Sequence, residues 1–448
     1  MSLLSKHSWR ESFLVYTRAR VIGMFFLGFA AGLPFPLVFG TLSTWLRDVG
    51  IERTTIGFFA WVGITYSIKV FWAPVIDRIQ LPLITRTIGR RRSWMLIAQA
   101  GIIIGLIGMA HTNPLEDIVM MALFSLLVAF SSATQDIAID AYRIEAVDEE
   151  YQGAMAAMYQ AGWKVAAALV AGAVALYIAE YISWVRAYEV MALCMVVGVL
   201  TAIVIKEPEK PITEETYARE HRVIEYLENS AHLPDWIRQP IAWFIGAVVC
   251  PFTDFFQRNG NLAIFILIFI ALYRISDVVL GNLAHPFYID MGYSKEEIAN
   301  ISKIFGFFPA LIGAFVGGVL VVRYGVLRIL LLGAVLVAIT NLMFAGLASS
   351  GKSLSGLAVI IAADNLSAGI AGSAFIAYLS SLTNSAYTAT QYALFSSLMT
   401  LFPKIISGFS GMIVDHTSYV FFFFYASILG VPVIIMVLWL MNYVKQTK

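Results

Sequence analysis

The chain has 448 residues, of which 59% are hydrophobic and only 13% are charged, and its formal net charge at pH 7 is +1. Soluble proteins have about 45–50% apolar and about 25% charged residues, so the composition excludes an ordinary soluble domain and indicates a polytopic membrane protein. The chain contains no basic domain, and nucleic acid is therefore not an expected partner. Its two cysteines, Cys194 and Cys250, provide neither a disulfide framework nor a metal cluster.

A membrane-spanning helix needs about 20 mostly apolar residues, and the sequence contains twelve such segments. The first follows a basic stretch without a small-residue cleavage site, so we interpret it as an uncleaved first helix. The predicted spans are residues 21–45, 56–77, 94–111, 117–142, 153–179, 184–205, 261–288, 297–322, 328–349, 355–382, 387–413 and 419–443.

The distribution of Lys and Arg predicts the orientation of these spans. About twenty of them lie in the N-terminus, the loops after even-numbered spans and the C-terminus. Only about four lie in the loops on the other side. Because cytoplasmic loops carry the excess of basic residues, we expect both termini in the cytoplasm.

One long polar segment, residues 206–259, separates six spans from six. It predicts three parts: residues 1–205, the linker 206–259, and residues 260–448. The linker begins with a charged, helical stretch that ends near Asn229. Its apolar stretch Ile241–Phe252 is too short to span a membrane and contains Pro251, so we expect it to lie in the membrane interface.

The two six-span parts share an internal repeat. Leu46–Ile56 aligns with Tyr288–Ile298 at an offset of 242, and Lys164 corresponds to Lys404 at an offset of 240. A repeat with an even number of spans keeps its orientation, so the halves are related by an axis along the membrane normal. The predicted fold is therefore an all-α membrane protein with twelve helices in two parallel six-helix halves.

Span four carries an unusual polar stripe. Asp136, Asp140 and Arg143 stand at i, i+4 and i+7, which places them on one face of a helix. Ionisable groups at membrane depth usually face a water-filled path. Two carboxylates one turn apart do not both ionise easily there, so one of them should bind a proton. The alternative is a structural network that ties span four to its neighbours.

Other charged residues within the spans are further candidates. Lys69, Lys164 and Lys404 could bind the carboxylates of an anionic substrate, although Lys69 could also reach an interface or form a structural ion pair. Arg274 and Asp277 could pair with each other or serve a substrate or coupling-ion site. Asp364 lies near the middle of span ten, where a carboxylate suits proton exchange. Four polar residues could hydrogen-bond a sugar, although each is more often part of helix packing: Gln135, Tyr142, Gln160 and Gln391.

The sequence contains no motif of a hydrolase, kinase or metalloprotease. No Gly-rich phosphate loop is followed by Lys and Ser or Thr, and the six histidines have no metal-ligand spacing. We therefore predict a protein that is not an enzyme and that uses no cofactor and no metal.

Four motifs resemble one transporter family. Asp77-Arg78 followed by Gly89-Arg90-Arg91-Arg92 resembles the loop between spans two and three of the major facilitator superfamily. The insertion in this loop resembles the branch of AmpG-type muropeptide permeases. The same branch has sequences similar to Lys69–Pro74, to Ala133–Ala141 and to Thr390–Leu394.

This resemblance implies a function and a location. AmpG-type permeases import N-acetylglucosaminyl-1,6-anhydro-N-acetylmuramyl peptides with protons across the bacterial inner membrane, for peptidoglycan recycling and, in some bacteria, β-lactam response. The expected partners are thus an anionic muropeptide, protons and membrane lipid, and we expect a monomer. Related branches import siderophores or carry acetyl-CoA, and a transport-inactive sensor or scaffold is a further alternative. By the loop motif and the end of span four, the gating residues would be Asp77, Arg78, Arg90, Arg91 and Arg143.

Overall fold

The computed structural model describes residues 9–52, 55–56, 59–82, 84–208, 214–230, 232, 234–407 and 409–446. Over these residues the chain is almost entirely helical, and twelve helices are long and apolar enough to cross a membrane. With the span numbers of the sequence prediction, span 1 is Ala19–Asp48, and spans 3 to 6 are Arg90–Ala110, Ile118–Glu145, Glu149–Tyr181 and Trp184–Val204. Spans 7 to 12 are Leu262–Asp290, Asn300–Tyr324, Val326–Ser350, Leu354–Leu382, Thr388–His416 and Tyr419–Val444.

The predicted span 56–77 is not one continuous helix. Its described part consists of four short helices, which are Ala60–Gly63, Ile64–Ser67, Lys69–Phe71 and Ala73–Arg78. The breaks fall beside Lys69 and just before Pro74. Proline has no backbone N–H and its ring clashes with the carbonyl four residues earlier, so Pro74 favours a break at this point. We keep the name span 2 for residues 59–78.

Because span 2 is broken, the helix Asp235–Asn259 is the twelfth that is long and apolar enough by composition. That its apolar stretch lies in the membrane interface stays a prediction. The helix continues through Pro240 and Pro251 and includes a π-helical segment, Ile245–Val249. The helix has 25 residues because it includes polar residues on both sides of the apolar stretch. We call Asp235–Asn259 the linker helix. The charged helix that precedes it, Glu214–Asn229, agrees with the prediction.

The linker helix packs against the ends of spans from both halves. Arg78, at the end of span 2, donates from Nη1 to the carbonyl oxygen of Trp243 at 3.2 Å. Arg258 donates from Nη2 to the carbonyl oxygen of Leu382, the last residue of span 10, at 3.2 Å. Because these contacts lie at span ends, the linker helix marks one end of the bundle. We call this end the linker end.

The repeat is visible in the backbone. Gly50 and Gly292 follow the first spans of the two halves and have φ angles of 92° and 81°. Gly89 and Gly325 precede spans 3 and 9 with φ angles of 94° and 84°. Glycine adopts this left-handed conformation without the steric cost that other residues bear. Equivalent turns therefore stand at equivalent places in the two six-span halves.

The halves also share a buried core near the linker end. One hydrophobic cluster joins Ile139 of span 4 and Ala154 of span 5 to Val322 of span 8 and Ala393 of span 11. Within the first half, Gly162 of span 5 lies directly against the carbonyl oxygen of Phe25 in span 1, so that even a methyl group would collide with the backbone. Such close packing fixes the helices that carry the polar residues.

Candidate functional site

Span 4 carries the predicted polar stripe on a continuous helix, Ile118–Glu145. Asp140 lies between two cations: its Oδ1 is 3.4 Å from Nη2 of Arg143, and its Oδ2 is 3.7 Å from Nζ of Lys69. All three residues are buried. Lys69 reaches this position from the break in span 2, where it begins a short 3₁₀ helix. Removing ions from water is costly, and this mutual pairing offsets part of the cost.

Asp136 lies one turn away and is differently placed. Its Oδ1 is buried and accepts no hydrogen bond from the described part of the chain. Lys69 and Asp140 both interact with it electrostatically. Asp140 is ion-paired with both Lys69 and Arg143, whereas Asp136 forms no ion pair among the described residues. We call Lys69, Asp136, Asp140 and Arg143 the span-4 cluster.

Arg143 links this cluster to the second half. Its Nη1 donates a 2.6 Å hydrogen bond to Oγ of Ser380 in span 10. Its guanidinium carbon lies 4.9 Å from the ring centre of Tyr392 in span 11, within the range of a cation–π contact. The Arg143 side chain is fully buried. A movement of one half against the other must therefore change the surroundings of the span-4 cluster.

A second network closes the linker end. Arg91 is completely buried, and its Nη2 lies 2.7 Å from Oδ1 of Asp77 and 2.6 Å from Oε1 of Glu145. The other carboxylate oxygen of Asp77 accepts hydrogen bonds from the backbone N–H and the hydroxyl of Thr390, at 2.8 and 2.9 Å. Arg90 donates to the backbone oxygen of Asp77. Asp77 therefore joins spans 2 and 3 of the first half to the start of span 11 in the second.

A third polar group lies in the second half. Nη2 of Arg274 is 2.6 Å from Oδ2 of Asp277, at a break in span 7 between Leu272 and Ile275. Asp364 of span 10 accepts a 3.2 Å hydrogen bond from Oγ1 of Thr340 and interacts electrostatically with Asp277. Lys164 of span 5 interacts electrostatically with both Asp277 and Arg274. The structure thus brings a cation of the first half toward the acidic groups of the second.

The other predicted residues lie outside these groups. Gln135 donates to the carbonyl oxygen of Ala30 at 3.0 Å and ties span 4 to span 1. Gln160 donates to Oγ of Ser373 at 2.8 Å and ties span 5 to span 10. Lys404 is exposed. The structure therefore does not bring Lys404 together with Lys69 and Lys164.

Gln391 and Tyr142 have other surroundings. Gln391 is buried and donates from Nε2 to the carbonyl oxygen of Pro251 and to Oδ2 of Asp254, at 2.9 and 2.8 Å, so it holds the linker helix. Tyr142 lines a groove between spans 1 and 6. Arg78 also contacts the linker helix, through Trp243.

Several residues of these networks were missing from the sequence prediction. Glu145 completes the pairing of Arg91, and Tyr66 and Tyr159 interact electrostatically with Asp136. Thr390 and Tyr392 lie within the Thr390–Leu394 motif, which marked their region but not their roles. Glu145, two residues after Arg143, carried no signal beyond its position at the end of the polar stripe.

An aromatic group lies beside the span-4 cluster. The ring centre of Phe35 is 4.7 Å from that of Phe39, 5.7 Å from that of Tyr66 and 5.9 Å from that of Trp163. The Phe35 side chain is 40% exposed. Trp163 precedes Lys164 in span 5, so aromatic faces and a cation stand together in the first half.

Comparison with known proteins identifies the fold and the relatives of this arrangement. The family model described as the Major Facilitator Superfamily matches residues 21–281. A putative transporter of Rickettsia conorii, AmpG 4, is 32% identical over 428 residues, which is 95% of this chain and 97% of the relative. The anhydromuropeptide permease of Escherichia coli K12 is 30% identical over 426 residues, which is 95% of this chain and 80% of the permease.

Solved structures give the same fold at low sequence identity. The proton:xylose symporter XylE superposes with a TM-score of 0.64 at 13% identity, covering 96% of this chain and 95% of the symporter. The transporter FucP, in its outward conformation, gives a TM-score of 0.66 at 10% identity and covers 94% of this chain and 97% of its own. At these identities the similarity concerns the fold alone.

Proposed function

Because the chain belongs to the Major Facilitator Superfamily, among the AmpG-type permeases, we propose that it imports N-acetylglucosaminyl-1,6-anhydro-N-acetylmuramyl peptides together with protons. The twelve-helix major facilitator fold and the relatedness to an anhydromuropeptide permease support a transporter. In this proposal the linker end faces the cytoplasm of a bacterium and the protein lies in its inner membrane. The basic residues of the loops after even-numbered spans support that orientation.

The observation that carries the proton coupling is the unpartnered oxygen of Asp136. With both carboxylates ionised, the span-4 cluster has two positive and two negative charges and is neutral. A proton on Asp136 leaves the cluster with a net charge of +1. An anion then binds more favourably near Lys69, and by linkage a bound anion favours protonation of Asp136. Proton and anionic substrate therefore enter together.

The third polar group, around Arg274 and Asp277, supports a substrate with several carboxylates. Lys164 and Arg274 extend from opposite halves toward the same region, and Asp277 and Asp364 provide a second place for a proton. The exposed face of Phe35 and the ring of Trp163 offer apolar surfaces against which a sugar ring can pack. A muropeptide has both features, since it carries sugars and a peptide with carboxylates.

The test is uptake of labelled anhydromuropeptide into proteoliposomes with an imposed proton gradient. One proton moved with a singly charged anion carries no net charge, so the pH difference is the driving force; two pH units supply about 2.7 kcal/mol, which supports accumulation of about 100-fold. We expect the wild-type protein to accumulate the label and the Asp136→Asn variant to equilibrate it without accumulation. Exchange of label across the membrane without a gradient should persist in the variant, because its substrate contacts remain.

The matched control is Asp148→Asn, the same change at an exposed position in the loop after span 4. It should accumulate label as the wild type does. Undiminished accumulation by Asp136→Asn would remove the coupling role of that residue. Accumulation of a siderophore or an acyl-CoA but not of muropeptide would overturn the substrate, and a correctly inserted protein that moves none of them would favour a sensor or scaffold.

A further inference from the structure

A groove of about 710 Å³ opens on the outside of the first half, between spans 1 and 6. Its walls are apolar and exposed, with Ile22 and Phe26 on span 1 and Leu200 and Val204 on span 6. Gly23 lies between these walls, where its missing side chain lets span 1 pack closely against Ile205 at the end of span 6. The groove belongs to neither the span-4 cluster nor the network at Asp77.

Two cations stand where the groove reaches the linker end. Arg20 begins span 1 and Lys206 follows span 6, and both line the groove. Lys206 is exposed, whereas Arg20 is half-buried and donates from Nη1 to the carbonyl oxygen of Ala146. Within the part of the chain that the structure describes, neither cation has an ion-pair partner. An anion at this position would therefore meet two positive charges.

The nearby carboxylate of Glu207 forms no ion pair with either cation among the described residues and is hydrogen-bonded to span 3 instead. Glu207 accepts hydrogen bonds from the backbone N–H groups of Arg91 at 2.8 Å and of Arg92 at 3.2 Å. It thereby caps the N-terminus of span 3, where the helix dipole stabilises a negative charge. The side chain of Arg92 donates to the carbonyl oxygens of Ala202 and Ile203, which brings a third cation beside the groove.

A buried hydrogen-bonding group also lines the groove. Tyr142 of span 4 is fully buried, and its hydroxyl has no hydrogen-bond partner among the described residues. Arg20 and Arg92 interact electrostatically with it. Buried polar groups are nearly always hydrogen-bonded, so an unsatisfied hydroxyl beside an open groove points to a ligand that supplies an acceptor.

We propose that this groove binds one anionic glycerophospholipid. The phosphate lies between Arg20 and Lys206, an ester oxygen accepts from Tyr142, and an acyl chain runs along Phe26 and Leu200. A zwitterionic lipid offers the same chain and esters but no net charge for the two cations. Each Lys or Arg near an anionic lipid surface contributes about 1 kcal/mol, which is about fivefold in affinity. The site is independent of the transported substrate.

The test is native mass spectrometry of the full-length protein, purified in detergent and equilibrated with equal amounts of phosphatidylglycerol and phosphatidylcholine. We expect one phosphatidylglycerol molecule to be retained preferentially. The double variant Arg20→Gln with Lys206→Gln should weaken that retention about 25-fold, since two contributions of about fivefold multiply. The Leu200→Trp variant keeps both charges, fills the groove with a larger side chain and should reduce retention of either lipid.

The matched control is Arg328→Gln, which removes an exposed cation near the start of span 9 in the other half. It should retain phosphatidylglycerol as the wild type does. Equal retention of the two lipids by the wild type would overturn the proposal. So would unchanged retention in both the double variant and Leu200→Trp, and so would an equal loss in Arg328→Gln.

Discussion

At the scale of single residues, the chain contains two buried charged networks of different character. In the span-4 cluster, Asp140 lies between two cations while Asp136 has an unpartnered oxygen, so one more proton can be accommodated there. At the linker end, Arg91 is paired with both Asp77 and Glu145 at hydrogen-bond distance. The first network suits a change of charge, and the second suits a fixed structure.

The Arg91 network gives a stability prediction. Arg91→Met leaves two buried carboxylates without their cation, and breaking a buried pair in this way costs about 3–5 kcal/mol. We expect a clearly lower unfolding midpoint in detergent, and addition of Glu145→Gln to this variant should restore part of the loss. Arg92→Met is the control, because Arg92 is half-buried and donates its side-chain hydrogen bonds to carbonyl oxygens. An equal loss in both single variants would contradict the role of Arg91.

At the scale of helices, the buried amide of Gln391 makes the largest set of hydrogen bonds around Pro251 and Asp254 of the linker helix. Gln391 donates to Pro251 and Asp254, and its Oε1 accepts from the N–H of Asn384 and from Arg258. The Nε2 donor of this amide is essential, because it faces the carbonyl oxygen of Pro251 and the carboxylate of Asp254. A negative charge in place of this donor would repel Asp254.

The Gln391→Glu variant should therefore release the linker helix. Cys250 of that helix is buried against Ala386 and Tyr387, so its thiol reports on docking. In a background with Cys194→Ala, we expect maleimide to label Cys250 about tenfold faster in Gln391→Glu than in the parent, since loss of one hydrogen bond to a charged group costs about 1.5–3 kcal/mol. The control Gln257→Glu changes an exposed residue of the same helix. Equal labelling of all three proteins would show that Gln391 does not hold the helix.

At the scale of the whole molecule, the two halves meet at the linker end through a small set of polar contacts. Asp77 binds Thr390, and Arg143 binds Ser380. A transporter that alternates between two openings must break such contacts each time this end opens. Their strength therefore sets the balance between the closed and open states of the linker end.

Asp77→Asn should shift this balance toward opening. Hydrogen bonds to a charged acceptor contribute about 1.5–3 kcal/mol each, so weakening them should change the ratio of states by about tenfold or more. Spin labels at positions 148 and 328 lie near the linker end, one in each half. Pulsed electron paramagnetic resonance then measures the distance between the two labels. We expect a larger population of molecules with a long distance between the labels in Asp77→Asn than in the wild type.

Asp415→Asn is the control for this measurement, because Asp415 is exposed and lies near the end of span 11, away from the Asp77 network. It should leave the distance distribution unchanged. An unchanged distribution in Asp77→Asn would mean that the network does not govern closure of the linker end.

The sequence by itself determined the class, the fold and most of the spans. Hydropathy alone locates a membrane-spanning helix, because a span needs about 20 mostly apolar residues in a row and such runs are rare in other structures. The family followed from short motifs, such as Ala133–Ala141, and the relatives of this chain confirm it. The polar stripe of span 4 followed from helical periodicity.

Only the tertiary structure decided which polar residues meet. Lys69 reaches Asp140 because span 2 breaks beside it, and hydropathy does not detect such a break in an apolar segment. Gln391 holds the linker helix, and Tyr142 lines an outer groove. Their residue types alone would equally suit a substrate-binding cavity. Residue type and spacing fix the face of a helix, whereas the neighbour across that face depends on how the helices pack.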